Sequence, residues 1–289
     1  MYYIASALVK LISWLPFPVL YLLSDFTYLI VYRLVGYRKA VVRENLSFSF
    51  LEKSEKELRK IEQEFYRHFC DLIFESLKIP GMSEKSILKR MKYIDYEPMI
   101  KHYDEGKCVF LHTSHYGNWE WTSSFSLYLP KDKPVYQIYK KQRNEVSNRI
   151  IYKIRTRFGA KNIEVKNILR EMLSMRKEGK LGMYGMLSDQ SPNWESINYH
   201  TTFLNQKTAV ITGTEQLARK FNYPIYYVRL AKVKRGYYTC TLIPIALNPK
   251  ETKEYEISET YMRMLEEDIR NNPAIWLWSH KRWKFTRNR

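Results

Sequence analysis

A histidine and a carboxylate lie five positions apart in the segment 109–121, where a short apolar run gives way to a polar turn. His115 and Glu120 are the residue types of a general-base pair, because an ionised carboxylate stabilises the imidazolium that forms when histidine accepts a proton. In a straight helix the two positions would point about 140° apart. Gly117 and Asn118 lie between them and permit the bend that a contact requires. The sequence therefore predicts a His115–Glu120 dyad that activates a hydroxyl group.

A hydroxyl activated in this way could attack a thioester, an ester or a phosphoryl group. For acyl transfer, the site also needs hydrogen-bond donors for the oxyanion that forms at the carbonyl carbon. The candidates are backbone N–H groups of the 115–119 turn and an arginine from a basic helix, Arg155 or Arg157, if its side chain faces inward. Asn118, in the same turn, is a candidate for substrate binding. No serine or cysteine lies in a Gly-x-Ser-x-Gly elbow, so direct transfer without a covalent acyl-enzyme is the simpler mechanism.

Two further polar groups follow apolar runs and are candidates for substrate binding. Asp189 and Gln190 come just past a predicted strand, where open α/β sheets place ligands; they either bind polar substrate groups or cap the following turn. His280 and Arg282 near the C-terminus either hold phosphate or anchor the last segment. His112 lies within an apolar strand and is expected to pack in the core.

Strands alternate with helices along most of the chain, which predicts an α/β fold with a mixed, largely parallel central sheet flanked by helices. A capping box at Ser54–Glu57 begins an amphipathic helix that Pro80-Gly81 ends. The strands are expected at 108–112, 135–139, 180–187, 224–233 and 237–245. The later helices are expected from about 118 and at 144–158, 165–178, 208–221 and 257–271.

Residues 2–35 form the most apolar region of the chain. An uncharged run of 14 residues, 11–24, contains two prolines, and a second run covers 26–32. Neither run has the 18–20 apolar residues of a spanning helix, and no small-residue cleavage pattern follows. We expect residues 1–36 to form membrane-associating helices, as a hairpin or broken helix in one leaflet, and residues 37–289 to form the rest of the fold. The alternative is an ordinary buried helix pair.

The composition limits the partners. The net charge is +18, from 48 basic and 30 acidic residues among 289, which suits an anionic membrane surface, an acidic carrier protein or nucleic acid. The basic residues are dispersed and no zinc-finger or RNA-recognition pattern occurs, so no nucleic-acid partner is expected. The three widely spaced cysteines predict small core residues rather than disulfides or metal ligands. Glycine-rich nucleotide loops are also absent from the sequence.

The His115–Glu120 segment resembles the His-x4-Asp/Glu signature of the bacterial late (secondary) lipid A acyltransferases, the lauroyl- and myristoyl-transferring branch of the lysophospholipid acyltransferase superfamily. Its fuller form, aromatic-Gly-Asn-Trp-Glu after a strand, is more specific than the histidine–acid spacing alone. Segments 37–46, 155–159, 189–190 and 278–284 resemble further blocks of that family in the same order. Residues 202–205 depart from it, because the family usually shows Phe-Phe-Gly where this chain has Thr-Phe-Leu-Asn.

The resemblance implies a membrane-bound enzyme on the cytoplasmic face of the inner membrane. Such an enzyme moves a fatty acyl chain from an acyl carrier protein or coenzyme A thioester to a hydroxyl of a lipid A precursor, and it needs no other cofactor. His115 would be the base and Glu120 its partner. Arg155 and Asp189 match family blocks and would lie at the site, with Arg155 favoured over Arg157. Residues 37–289 would then be the acyltransferase domain.

Three alternatives stay open at this point. The acceptor could be another membrane lipid, such as an aminolipid or a glycolipid, because the motif addresses only the reacting hydroxyl. The chain could instead be a basic membrane- or nucleic-acid-binding protein without catalysis. It could also be a hydrolase in which His115 activates water on a thioester.

Overall fold

The computed structural model describes residues 2–287 and contains a seven-stranded sheet with helices on both sides, which confirms the predicted fold class. The helices before the sheet are α1 Tyr2–Trp14, α2 Phe17–Tyr28, α3 Lys39–Ser49, α4 Glu55–Lys78 and α5 Glu84–Arg90. The first half of the α/β region contains β1 Met91–Ile94, α6 Glu97–Ile100, β2 Val109–Thr113, β3 Val135–Tyr139, α7 Glu145–Arg155 and β4 Lys161–Glu164. The second half contains α8 Ile168–Lys177, β5 Met183–Leu187, β6 His200–Phe203, β7 Gln206–Ala209, α9 Gly213–Phe221, β8 Ile225–Lys234, β9 Tyr237–Ala246 and α10 Glu256–Asn271.

The sheet has the strand order β1-β9-β8-β2-β5-β3-β4. Every neighbouring pair is parallel except β8–β9, which is an antiparallel hairpin. The central strand β2 is buried along its whole length, as expected for a parallel strand covered on both faces. Because β2 and β5 are parallel neighbours, their carboxyl ends meet at one edge of the sheet, and the chain segments that follow both strands lie side by side.

The long amphipathic helix α4 contacts the β8–β9 hairpin through His68 and Glu75 and carries the predicted start signal. Ser54 accepts a hydrogen bond from the Glu57 backbone N–H while the Glu57 side chain accepts from the Ser54 backbone, so the capping box is formed. The face of α4 that points inward contains polar as well as apolar side chains, among them His68 and Glu75. Such side chains are rarely buried without partners, so this face is more than a packing surface.

Two parts of the predicted secondary structure were wrong. The segment 208–221 was expected to be one helix, but its first residues belong to β7, which pairs with β6 in a separate antiparallel hairpin. The hairpin turns at Leu204 and Asn205, both with positive φ, the geometry of a two-residue turn. The helix expected from about 118 is a 3₁₀-helix, Trp119–Tyr128. Short strands β1 and β4 were not predicted, because four residues are too few to show a period.

The N-terminal region forms helices broken at Leu15 and Pro16, as expected. The helix that begins at Phe17 does not end at Asp25, however; it continues through a π-helical turn, Leu29–Val35. The two apolar runs therefore join into one helix of 19 residues, Phe17–Val35, which is long and apolar enough to cross a membrane by length and composition. Asp25, which separates the two runs in the sequence, lies within this helix and pairs with Arg235.

Candidate active site

The parallel pairing of β2 and β5 brings His115 and Asp189 together. Each lies two residues beyond the end of its strand, and the register pairs Thr113 with Leu187. The Nδ1 atom of His115 lies 2.7 Å from Oδ1 of Asp189, and the backbone N–H of His115 donates to Oδ2 at 3.0 Å. The indole N–H of Trp276 donates to the same Oδ2 at 3.0 Å. Asp189 is thus a buried carboxylate with three donors.

These contacts determine which nitrogen of His115 could act as a base. An ionised carboxylate can only accept hydrogen bonds, so Nδ1 of His115 carries the proton and Nε2 presents its lone pair. Burial alone would raise the pKa of Asp189, but the His115 ring and the three donors outweigh burial and lower that pKa to about 2. Asp189 therefore stays ionised at neutral pH and is placed to stabilise an imidazolium at His115.

Glu120 is bound elsewhere. Its two carboxylate oxygens accept from Nε and Nη2 of Arg155 at 2.9 and 2.6 Å, a bidentate pair. Burial raises the pKa of Glu120, and the Arg155 charge and hydrogen bonds outweigh burial, so that the net shift is downward. Among residues 2–287, no hydrogen bond joins His115 to Glu120. The structure therefore does not contain the predicted direct contact between His115 and Glu120. The carboxylate on the His115 ring is Asp189, because the parallel strands β2 and β5 end side by side.

Glu120 nevertheless lies close enough for its charge to act on His115. The His115 ring helps to lower the pKa of Glu120, and the Trp119 ring meets the His115 ring edge-on with centroids 5.1 Å apart. Trp119 also donates its indole N–H to Glu120 at 3.2 Å. The site therefore has one carboxylate on the histidine and a second, paired with arginine, beside it.

The two candidate arginines have different positions. Arg155, the last residue of α7, turns inward to Glu120, as the family resemblance favours. Arg157 is exposed and donates to the backbone oxygens of Pro80 and Met82, at 3.3 and 3.1 Å. These oxygens belong to the segment that follows α4, so Arg157 does not point into the site, and its assignment as a substrate-binding residue is corrected.

Asn118 is fully buried, which excludes the direct substrate contact that was predicted for it. Its Oδ1 accepts from the backbone N–H of Trp121, so it caps the 3₁₀-helix that carries Glu120, and its Nδ2 donates to Glu75. Gln190 does lie at the site: its Nε2 is 3.3 Å from Nε2 of His115. With the proton of His115 on Nδ1, the amide of Gln190 donates to the free lone pair that an acceptor hydroxyl would use.

The C-terminal candidates His280 and Arg282 lie close enough to Asp189 for its charge to affect the pKa of each. Arg282 is buried, donates to the backbone oxygen of Ala209, and has its pKa lowered to about 10 by burial. Burial likewise lowers the pKa of His280 to about 4, so its ring is neutral at pH 7. A buried guanidinium bound to backbone cannot reach a surface phosphate, so of the two predicted roles the structure supports anchoring. His112 packs in the core as expected, stacked on Tyr261.

An apolar pocket opens beside Glu120 and runs between the sheet and the 3₁₀-helix. Its empty space is about 620 Å³ when the open solvent at its mouth is included. Trp119, Glu120 and Arg155 lie on its polar side. The remaining walls are mostly apolar and include Tyr93, Leu111, Phe125, Val135, Ile138, Leu187, Val228 and Leu242.

The three cysteines, Cys70, Cys108 and Cys240, are free and buried, and the pKa of each thiol is raised chiefly by burial. They are therefore inert core side chains. Within residues 2–287, no group of three or more histidine, cysteine, aspartate or glutamate side chains has the arrangement of a metal site.

His115 and its carboxylate partner thus lie next to residues that line an apolar pocket, on an α/β fold with an apolar N-terminal helix. The chain belongs to the bacterial lipid A biosynthesis acyltransferase family, whose model matches residues 1–285. A protein from Haemophilus influenzae named lipid A biosynthesis acyltransferase is 23% identical over 175 residues. That similarity covers 61% of this chain and 54% of the relative, so the chain spans about half the length of this curated relative. The family resemblance of the sequence motifs is confirmed.

Proposed function

We propose that the protein is an O-acyltransferase that moves a fatty acyl chain from an acyl-carrier-protein or coenzyme A thioester to a hydroxyl of a lipid A precursor. The observation that carries the proposal is the His115 ring. Asp189 holds it with Nε2 as the basic atom, beside the Glu120–Arg155 pair and the apolar pocket. Family membership supports the reaction class.

The proposed reaction is a direct transfer. The acceptor hydroxyl displaces the Gln190 amide and donates to Nε2 of His115, which takes the proton as the hydroxyl oxygen bonds to the thioester carbonyl carbon. The oxyanion is stabilised by backbone N–H groups of the 115–119 turn. Those of His115 and Gly117 are committed to Asp189 and Ile275, and Asn118 is fully buried, so Tyr116 and Trp119 are the candidate donors. The carbon–sulfur bond then breaks, and the leaving thiolate takes the proton back from His115.

The apolar pocket is the proposed site of the acyl chain. Its walls offer no charge other than the Glu120–Arg155 pair at one side, a lining that suits a hydrocarbon chain. In this arrangement the thioester carbonyl would lie near Trp119, next to the base. Arg155 and Glu120 hold the first turn of the 3₁₀-helix in place and add a fixed charge pair close to the reacting atoms.

Exposed apolar side chains on the N-terminal helices support a location at a bilayer, which we propose to be the cytoplasmic face of the inner membrane. They include Ile4, Leu8, Leu11, Trp14, Leu22, Phe26, Leu29 and Leu34. An apolar surface of this extent is unusual on a protein surface in water. The net charge of +18 would add attraction to anionic headgroups.

The start of α7 is a candidate docking surface for an acidic carrier protein. Lys140, Lys141, Arg143, Arg149 and Lys153 are exposed there. The same helix ends at Arg155, beside the pocket, so a carrier bound to these residues would have its thioester close to the site.

The test is transfer by the purified protein in detergent micelles. It is incubated with an acyl-carrier-protein thioester and a lipid A precursor, and the lipid is examined by mass spectrometry. We expect a mass gain of one acyl chain with the wild-type protein and none with His115→Ala, which should stay folded and membrane-bound. A coenzyme A thioester in place of the carrier identifies the donor.

Parallel incubations separate the alternatives. Acylation of a lyso-aminolipid or a glycolipid but not of the lipid A precursor would make the lipid A acceptor wrong and keep the reaction class. Release of free fatty acid faster than acyl lipid forms would identify a hydrolase. Strongly salt-dependent binding to DNA or RNA, without acyl transfer, would identify a non-catalytic binding protein.

A further inference from the structure

A buried carboxylate on α4 lies directly against the 115–119 turn, called the catalytic turn below. Glu75 is 1% exposed, and three donors from three parts of the chain converge on it. Oε2 accepts from Nδ2 of Asn118 at 2.6 Å and from the hydroxyl of Tyr238 at 2.8 Å, and Oε1 accepts from the hydroxyl of Tyr21 at 2.9 Å. The backbone oxygen of Glu75 also accepts from the indole N–H of Trp121 at 3.1 Å.

These contacts reach both ends of the turn. Asn118 caps the 3₁₀-helix through the backbone N–H of Trp121, and Glu120 lies in the first turn of that helix. On the same face of α4, His68 is bonded to the backbone oxygen of Gly117 at 3.3 Å. Since Nδ1 of His68 faces the Lys232 ammonium, which can only donate, Nε2 carries the proton and donates to Gly117. Thus α4 contacts Gly117 and Asn118 within the bend between His115 and Glu120, and Trp121 just after it.

The carboxylate is costly at this position. A buried charge lowers stability unless its partners compensate, and an apolar side chain of similar size often costs less. The same helix has a second buried glutamate, Glu62, but that residue pairs with Arg43 and has no contact with the turn. The partner of Glu75 on the other side is Tyr21 of α2, the apolar helix of spanning length. Glu75 therefore joins two regions that the proposed reaction needs, the membrane-associated helix and the catalytic turn.

We propose that Glu75 is a positioning residue for acyl transfer. Its carboxylate holds Asn118 and, through Asn118, the turn that places His115 and Glu120. The same carboxylate connects that turn to Tyr21 of the apolar helix α2. The inference rests on the proposed function for the reaction that it serves. Glu75 acts through Asn118 and does not touch substrate. A shift of about 1 Å in reacting groups can cost roughly a hundredfold in rate, so the effect is expected in kcat rather than in KM.

Reversing the polarity of the Glu75–Asn118 hydrogen bond tests the proposal. Asn118→Asp places a second carboxylate against Oε2. At pH 8.5, above the pKa of Glu75, we expect kcat to fall about a hundredfold or more. In Glu75→Gln/Asn118→Asp the glutamine amide donates to the new aspartate, and the aspartate can still cap the Trp121 N–H. We expect the double variant to recover kcat to within about fivefold of wild type, with KM little changed throughout.

A second measurement does not depend on catalysis. Hydrogen exchange of peptides that cover 115–123 is followed by mass spectrometry on the folded variants. Asn118→Asp should speed exchange in this segment and the double variant should restore protection, whereas the matched control Glu62→Gln should change neither exchange there nor kcat. If the wild-type protein transfers no acyl chain, the proposed function is wrong, and the exchange data still decide whether Glu75 positions the turn.

Tyr21→Phe is a milder variant for the case that Asn118→Asp does not fold. It keeps the ring contacts of Tyr21 and removes one donor to Oε1, so we expect about a tenfold fall in kcat with a melting temperature near that of wild type. The proposal is overturned if the double variant is no better than Asn118→Asp in both kcat and exchange. It is also overturned if Tyr21→Phe has wild-type kcat and wild-type exchange in 115–123.

Discussion

The variant Asp189→Asn tests whether the partner of His115 in the reaction is Asp189, as observed in the structure, or Glu120, as predicted from the sequence. An asparagine has one acceptor oxygen, and at this position it must choose between two sites. At the Oδ2 site it satisfies the His115 backbone N–H and the Trp276 indole; at the Oδ1 site it satisfies only the His115 ring. The first orientation keeps one hydrogen bond more. It turns the asparagine NH₂ toward Nδ1 of His115, which then accepts, and the ring proton moves to Nε2.

The expected loss follows from two terms. With the proton on Nε2, the histidine has no lone pair for the acceptor hydroxyl; an equivalent tautomer change in a serine protease triad costs about 10⁴-fold in kcat. The lost carboxylate also removes roughly 4 kcal/mol of imidazolium stabilisation, taking charges about 4 Å apart at an effective dielectric constant of about 20, or about 10³-fold in rate. Because both terms act through the same proton, we expect a fall in kcat of about 10³- to 10⁴-fold rather than their product.

The assay is steady-state acyl transfer at saturating thioester, with Asp268→Asn as the matched control. Asp268 is also buried and hydrogen-bonded, to the Tyr227 hydroxyl, but its side chain has no contact with His115. The control should keep activity within a few-fold of wild type. A folded Asp189→Asn enzyme within tenfold of wild type, together with an inactive Glu120→Gln enzyme, would refute the assignment of Asp189 and restore Glu120 as the partner of His115.

Three other predictions concern the surroundings of this pair. Arg155→Lys keeps the charge but loses the bidentate geometry toward Glu120, so kcat in the same assay should fall about ten- to a hundredfold; unchanged kinetics would mean that the pair has no role in the reaction. Burial, with a neighbouring carboxylate, raises the pKa of Glu75 to about 7, so the wild-type protein loses stability as pH rises through that value. Glu75→Gln removes this titrating group. The difference between the unfolding free energies of the variant and the wild type should therefore grow in favour of the variant by roughly 3 kcal/mol between pH 5 and pH 8, measured by denaturant titration; a difference that does not change with pH would contradict this. Leu22→Asp should weaken sedimentation with anionic vesicles about tenfold, because Leu22 lies exposed on the apolar N-terminal helix. The control Leu247→Asp, at an exposed leucine outside that helix, should not; equal binding by both variants would argue against this surface.

The sequence predicted the fold class because its long periodic elements were also the elements that form the core. Strand β3 was placed at its observed bounds, and α4 began at its predicted capping box. The β6–β7 hairpin was missed because its two strands have four residues each and its turn has no glycine. The apolar helix Phe17–Val35 was divided in two because a charged residue in a run ordinarily ends a membrane segment, and an ion pair to Arg235, 210 positions away, cannot be read from local sequence.

The candidate site was predicted in part. His115 and Asp189 were selected by their positions after strands, and Arg155 was selected from a basic helix and favoured by the family motif. The pairing among them, however, was assigned by sequence distance. A signal for the observed pairing was present: His115 and Asp189 follow their apolar strands at the same offset, and parallel neighbours would bring equal offsets together. Glu75 gave no signal, because one glutamate on an amphipathic helix is ordinarily solvated. Its role depends on tertiary contacts with Tyr21, Asn118 and Tyr238.

The central claim is that His115, held by Asp189, activates a lipid hydroxyl for direct acyl transfer. The most direct measurement is a single-turnover reaction with an isotope-labelled acyl thioester, quenched in acid, with the label followed on carrier, protein and lipid by mass spectrometry. We predict that label passes from thioester to lipid in one phase, that no labelled protein accumulates, and that His115→Ala abolishes transfer. Labelled acyl-protein that precedes acyl-lipid, or an undiminished rate in folded His115→Ala, would contradict the claim.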